Sequence, residues 1–274
     1  MRSFASAVPP VAYRDHFDLL AFVGHVLAVA DAEVRKLRHD PLELLTRAVQ
    51  PVLWLAVFGQ VMARVRGVAT GPLNYLDFMA PGILAQSVLF IAIFYGITAI
   101  WERDLGIIHK YLVSPASRTA LVLGKALSAG VRALAQAVIV YILALIMDIH
   151  VSFEPVSISG VLVLIIMGAA LFSTVSLVVA CIVRSRERFL GIGQVMTMPL
   201  FFASNAIYPL TLMPAWLRAL ASINPLTYEV DALRALMVRG GSSVLGLGFD
   251  FAVLLAAMTG LIAIAARLYP RLGM

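Results

Sequence analysis

The chain has 274 residues, 61% of them hydrophobic and only 13% charged, with a formal net charge of +6. Soluble domains run near half apolar and a quarter charged, so this balance excludes a disordered chain and points away from a soluble domain toward a membrane protein. The one cysteine, Cys181, excludes a disulfide framework and any multi-cysteine metal site.

In chain order, residues 1–10 carry one base and no apolar core of the kind a cleavable signal needs. Residues 14–39 place Leu19, Phe22, Val23, Val26, Leu27, Ala30, Val34 and Leu37 at three- and four-residue steps, which makes one helical stripe. Its longest charge-free piece, 19–30, is too short to cross a bilayer. We read 1–40 as a cytoplasmic segment with a helix lying on the inner leaflet, Arg35, Lys36 and Arg38 near the headgroups; a helix packed on other protein is the alternative. Asp40, Pro41 and Glu43 then form an N-cap, a first-turn proline and a capping-box acid, and they open a single membrane domain over 41–274.

Stretches without Asp, Glu, Lys or Arg run over 48–63, 78–101, 133–147, 155–183, 189–217 and 251–266. A crossing helix needs about 20 residues, so these windows predict six spans. Pro51 predicts a kink in the first. The fifth window is broken by Pro199, Pro209 and Pro214, so part of it does something other than cross. Continuous runs of Leu, Ala, Ile and Val exclude the short alternating strands of a membrane barrel. With both termini inside, the cytoplasmic segments hold fifteen Lys and Arg and the outer ones five, with Arg132 left inside the third span. Both ends are therefore cytoplasmic. That partition also makes the basic excess a topology signal and gives no support for nucleic acid.

Residues 101–118, between the second and third spans, are mixed in charge, with Ile107, Ile108, Tyr111 and Leu112 able to share a face and Gly106 and Pro115 as punctuation. They predict a short cytoplasmic helix parallel to the membrane, either a solvated loop with an apolar side or a docking element for a soluble partner. Residues 201–240 are apolar yet proline-broken. Non-helical backbone at membrane depth has to be shielded by protein or water, so two short re-entrant or surface-lying helices are expected on the outer side. Asp231 and Arg234 stand three apart and can pair on a helix face.

Motifs for hydrolytic chemistry are missing. Gly124-Lys125 is followed by Ala126 and lacks the upstream glycine of a phosphate-binding loop. His16, His25, His39, His109 and His150 are scattered without metal-ligand spacing. The windows offer neutral polar groups such as Gln86, Ser87, Gln136, Ser173, Thr174 and Asn205 in place of carboxylates, which argues against ion coupling. A stand-alone secondary transporter and a lipid-acting membrane enzyme are the readings from other classes. The first needs intramembrane acids, and the second a cluster of acids, histidines or a nucleophile near one leaflet.

Two segments carry a resemblance. S-N-A-I-Y-P-L-T-L-M-P-A-W-L-R (204–218), followed by N-P-L-T-Y (224–228) and D-A-L-R (231–234), resembles the signature of the type-2 ATP-binding-cassette permeases; E-R-D-L-G (102–106) with L-V-S-P-A-S-R (112–118) resembles their coupling segment. The likeness covers essentially the whole chain and is nearest to the daunorubicin and multidrug-efflux type. It implies an all-α membrane protein with six transmembrane helices, an N-terminal interfacial helix, a cytoplasmic coupling helix and outer re-entrant helices over about 204–220 and 223–238. It implies that Glu102, Arg103, Gly106, Ile107, Ile108, Leu112, Pro115, Ser117 and Arg118 belong to the contact with a separate nucleotide-binding ATPase. Asn205, Pro209, Met213, Pro214, Trp216, Asn224, Pro225, Tyr228 and Arg234 belong to the outer re-entrant motif. Two permeases, identical or paralogous, would assemble with two ATPases through the first and fifth spans. ATP and Mg would bind the ATPase, and no cofactor or metal this chain. The basic loop 184–188 is a second candidate ATPase contact, with ordinary inside-positive charge the better account. Such proteins are bacterial inner-membrane exporters of drugs, antibiotics, lipids or glycans. Aromatics, at 9% and many of them at span ends, weigh against a glycan.

Overall fold

The computed structural model describes residues 41–65, 70–108, 118–183 and 185–270. Among these the chain is helical, without strands, and one isolated antiparallel bridge joins Val151 to Val238. The first window forms α1 (Pro41–Val52), a π-helical stretch (Leu53–Gly59) and α2 (Gln60–Ala63) in unbroken succession. Next come α3 (Tyr75–Tyr95), α4 (Ile97–Asp104), α5 (Arg118–Ile146), α6 (Pro155–Ile182) and α7 (Arg186–Phe202). A 3-10 turn (Leu210–Leu212), α8 (Ala215–Ile223), α9 (Pro225–Met237) and α10 (Leu247–Leu268) follow.

Among the described residues, four helices are long and apolar enough to cross a bilayer: Tyr75–Asp104 taken through Gly96, Leu121–Ile146 within α5, α6 and α10. The first and fifth windows are helical but shorter. The apolar part of the first is Ala48–Ala63, and α7 has 17 residues, about 26 Å at 1.5 Å per residue against a hydrocarbon core of about 30 Å. The expected N-cap Asp40 lies outside the described residues, and helix α1 is described from Pro41. Beyond Pro51 it widens into π geometry, because a proline removes one backbone donor and its ring crowds the carbonyl four residues earlier. The expected interfacial helix of 14–39 lies outside the described residues.

Helix α6 is the hub, packing against α3, α5, α9 and α10. Two apolar clusters fill the bundle along its length. The larger gathers Met79, Ile83, Leu84 and Leu89 of α3 with Ala133 and Ala137 of α5, Leu164 and Ile165 of α6, and Val230 and Leu233 of α9. The smaller, at the other end, gathers Ile100, Ile108, Val122, Leu177, Phe189 and Tyr269. Small residues set the closest approaches. A Cβ on Gly82 would lie 2.3 Å from the Ala206 carbonyl oxygen, so α3 passes directly beneath the broken segment after α7. A Cβ on Gly168 would lie 2.1 Å from Glu229 Oε1, so α6 leaves room for a carboxyl of α9.

Gly82→Ala should lower the melting temperature in detergent, since backbone cannot yield as a flexible side chain can and overpacking costs about 1–3 kcal/mol. Gly124→Ala, where a Cβ meets nothing within 4 Å, should leave it unchanged or raise it, a helical glycine being worse than alanine by about 1 kcal/mol. Thermal scans of the two purified variants check the pair.

Candidate functional site

The predicted site residues fall at opposite ends of the bundle. At one end α4 carries Trp101, Glu102, Arg103 and Asp104 as the continuation of α3 beyond Gly96, so these four belong to the end of an apolar helix and not to a separate cytoplasmic one. The helix ends at Asp104, and Gly106 just beyond takes φ +70°, the left-handed conformation that glycine adopts freely. The amide of Leu105 still bonds the Trp101 carbonyl at 2.9 Å.

The side chains here are held from three helices. Lys125 Nζ of α5 donates to Glu102 Oε2 at 2.5 Å. Arg103 Nη1 donates to the carbonyl of Val183, just after α6, at 3.3 Å. Arg186 at the start of α7 bonds Asp104 Oδ2 through Nη2 at 2.8 Å and through Nε at 3.0 Å, and its guanidinium lies 4.3 Å from the Trp101 ring centroid. The E-R-D segment and the basic 184–188 loop, far apart in sequence, thus share one face. Ile107 is half-buried, whereas Ile108 is fully buried in the smaller apolar cluster and so anchors the segment to the bundle. Arg118 is the first residue of α5; Leu112, Pro115 and Ser117 lie outside the described residues.

At the other end α7 stops at Phe202, and residues 203–214 run without a regular helix apart from the 3-10 turn. The first expected re-entrant helix therefore begins later, at Ala215, because Pro209 and Pro214 stand in extended backbone. Asn224 caps α9, its Oδ1 accepting from the Leu226 amide at 3.0 Å, and Pro225 fills the first turn. Asn224 Nδ2 also donates to the carbonyls of Leu200 and Ala203, at 2.6 and 2.8 Å, satisfying the end of α7. Tyr228 donates its hydroxyl to the Ser222 carbonyl at 2.6 Å. Met213 is buried, while Trp216 is 66% exposed and with Leu220 and Ile223 gives α8 an apolar outer face.

Arg234 ties this end together. Its Nε donates to the Phe78 carbonyl at 3.2 Å and Nη2 to the Asn205 carbonyl at 2.7 Å. Its guanidinium carbon lies 3.8 Å from the Phe78 ring centroid, and Nη1 lies 3.8 Å from Asp231 Oδ1, the pairing read from the three-residue spacing. Asp231 accepts from the Leu245 amide and sits 2.9 Å from Ser243 Oγ, which also lies 2.8 Å from Asp250 Oδ2. Asp77 of α3 takes both the amide and the Nδ1 of His150, fixing the turn between α5 and α6.

Three things escape a linear reading. Arg218 donates to the carbonyls of Leu210, Thr211 and Met213, at 3.2, 3.4 and 3.1 Å, serving the non-helical stretch before α8. Asp77, Glu229, Asp231, Arg234 and Asp250, all outside the charge-free windows of the sequence, are nevertheless buried. Three of the five are carried in by α9, which packs against α3, α6 and α10. Glu229 is wholly buried beside Gly168, with no hydrogen-bond partner for either oxygen among the described residues.

Comparison with known proteins follows this geometry. The family model described as ABC-2 type transporter matches residues 24–238, most of the chain and every described element from α1 to α9. The chain belongs to the ABC-2 type transporter family, and is a multi-pass membrane transport subunit. It is 28% identical over 219 residues to the putative transport permease ycf38 of Cyanophora paradoxa, covering 78% of this chain and 74% of that protein. It is 24% identical over 236 residues to the daunorubicin resistance ABC transporter permease protein DrrB1 of Streptomyces coeruleorubidus, covering 86% and 81%. With the probable multidrug ABC transporter permease YbhR of Escherichia coli K12 it shares 26% over 171 residues, 62% of this chain and 46% of that one.

Arg234→Ala strands two carbonyls and the Asp231 carboxylate and should cost about 3–5 kcal/mol, the range for breaking a buried pair on one side. Arg218→Ala, two of whose three bonds are exposed and the third only part-buried, should cost less, about 1 kcal/mol per lost bond. Melting of detergent-solubilised variants by size-exclusion fluorescence should order them wild type, then Arg218→Ala, then Arg234→Ala.

Proposed function

We propose that the chain is the permease subunit of an ATP-driven exporter that moves a hydrophobic or amphipathic cargo, a drug, antibiotic or lipid-like molecule, out of the cytoplasm or inner leaflet. It crosses the membrane six times, α1 with the π-helical stretch and α2 as the first crossing and α7 as the fifth, with both ends inside a bacterial inner membrane. ATP and Mg bind a separate ATPase subunit, and two permeases work with two ATPases. The observation that carries this is the convergence of Trp101–Asp104 with Val183 and Arg186 at one end of the bundle. A rigid end built from the tips of α4, α6 and α7 passes a push from below straight into three helices. The exposed Val195, Met198 and Phe202 of α7 and Val57 and Val61 beside α2 suit cover by a second permease. The daunorubicin and multidrug wording of relatives supports drug-like cargo over a glycan.

Proton-driven transport without an ATPase is the second reading, favoured by Glu229 alone, whose buried carboxyl is of the kind that binds a coupling proton. The two separate on whether transport in vesicles stops when the ATPase is omitted.

Glu102→Ala and Arg103→Glu should each reduce cargo-stimulated ATPase activity of the co-expressed complex severalfold with the permease still in the membrane. Lys125→Ala breaks the same Glu102 pair from the side of α5 and serves as the control. A loss equal to that of Glu102→Ala would reduce Glu102 to an internal strut; retained activity supports its contact with the ATPase.

A further inference from the structure

Two carboxyls at the end that carries Arg234 meet over a single hydroxyl. Asp231 of α9 and Asp250 in the first turn of α10 are both wholly buried, and Ser243 of the connecting segment lies between them. Its Oγ is 2.9 Å from Asp231 Oδ2 and 2.8 Å from Asp250 Oδ2, and it accepts from the Gly246 amide at 2.7 Å. A hydroxyl has one proton to give. It serves one carboxyl, and the other oxygen at that distance needs a proton of its own to be held there. Splitting the hydroxyl proton between both would leave two buried carboxylates face to face, and like charges so close do not both ionise.

The surroundings tell on which side the extra proton sits. Asp231 has the partners of a carboxylate: the Leu245 amide at 2.9 Å on Oδ2, and the Asn205 amide at 3.4 Å and Arg234 at 3.8 Å on Oδ1. Asp250 shares none of these, and its Oδ1 meets no partner among the described residues. Leaving a carbonyl oxygen bare costs far less than leaving a buried charge bare. The other charged groups on the packed elements do not supply a counter-charge. Helix α6 has none; on α9, Glu229 lies against Gly168 and Tyr228 spends its hydroxyl on Ser222. On α3, Asp77 is taken by His150. The bases of α5, Arg118, Lys125 and Arg132, run only from its start to its middle, so its part toward the Val151–Val238 bridge is uncharged. Arg267 stands in the last turn of α10, at its far end from Asp250.

We propose that Asp231, Ser243 and Asp250 form a proton-binding site, in which Asp250 donates to Ser243 and Ser243 to Asp231, and that this proton fastens the segment between α9 and α10 to the bundle. Val244 beside the site is 75% exposed, so the segment lies at the protein surface, where the proton exchanges with water. Once the proton leaves, two carboxylates stand on one hydroxyl. The amides of Leu245 and Gly246, which lead into α10, then lose their fixed acceptors, Asp231 Oδ2 and Ser243 Oγ. Those two amides also argue against a metal ion in place of the proton, because they point N–H groups at the oxygens a cation would need. The site stands on contacts within one chain, so failure of the ATPase reading would leave it standing.

The test uses the full chain in nanodiscs, followed from mildly acidic to alkaline pH by infrared difference spectroscopy and by amide hydrogen exchange corrected for the chemical rate. Expected is a carboxylic-acid carbonyl band that is lost as the pH rises. It should be missing in Asp250→Asn and kept in Glu229→Gln, which removes the other buried carboxyl with a partnerless oxygen. Exchange at Leu245 and Gly246 should speed up about tenfold over the same pH range in which the band is lost. Asp250→Asn, whose amide donates to Ser243 as the acid does, should keep both amides protected at every pH, and Ser243→Ala should lose protection of Gly246 even in mild acid. The wild-type measurement decides without any variant: band loss and amide release together support the fastening role, and band loss without release overturns it. A band that survives in Asp250→Asn, or protection in the wild type that a chelator of divalent cations removes, would equally overturn the assignment.

Discussion

Backbone amides and carbonyls that lie among apolar side chains must be bonded by something, because lipid offers them nothing. This chain meets that demand at the stretch after Phe202, where helix α7 ends and no regular helix begins until Ala215. Asn224 takes the last carbonyls of α7, Arg218 those around the 3-10 turn, and Arg234 that of Asn205. Each of these side chains belongs to a helix that follows the stretch, so α8 and α9 are placed by the groups they have to satisfy. Arg234 reaches on to the Phe78 carbonyl, and α3 is held to the same cap.

The two ends of the bundle are built on different economies. At the end that carries Trp101–Asp104 the ion pairs of Asp104 with Arg186 and Arg103 are exposed to solvent and so contribute little to stability. Firmness there comes from the buried cluster of Ile100, Ile108, Phe189 and Tyr269 beneath them. At the opposite end the charged groups are buried, and Arg234 and Asp231 are matched by the Phe78 and Asn205 carbonyls, the Leu245 amide and Ser243. One end is thus held by apolar packing beneath solvated charges, the other by a network of buried bonds that stays closed until several break together.

The continuous apolar runs made the helices legible, and so did local chemistry: Asn224 followed by Pro225 and the Asp231–Arg234 spacing act within a turn of themselves. The proline clusters marked where the fifth run fails. What could not be read was any partnership across the bundle. Glu102 with Lys125, Asp104 with Arg186, and Arg234 with Phe78 join residues between 23 and 156 positions apart. The burial of Asp77, Glu229, Asp231 and Asp250 was not legible either, because a hydropathy window does not show what packs over its ends. The inward turn of Ile108 was hidden for the same reason, since an amphipathic segment does not say which way its apolar side faces.

The π-helical stretch of α1 has a consequence for how this protein tolerates change in length. A π turn is in effect one residue more than an α-helix needs for the same rise. Deleting a single residue within Leu53–Gly59 would let the helix relax to α geometry with its flanks nearly in register. The same deletion in the middle of α6 would rotate everything beyond it by about 100°, carrying Gly168 away from Glu229 or Ser176 away from the Ile93 carbonyl. The first helix is thus the place in this bundle where the chain length has slack, and the hub is where it has none.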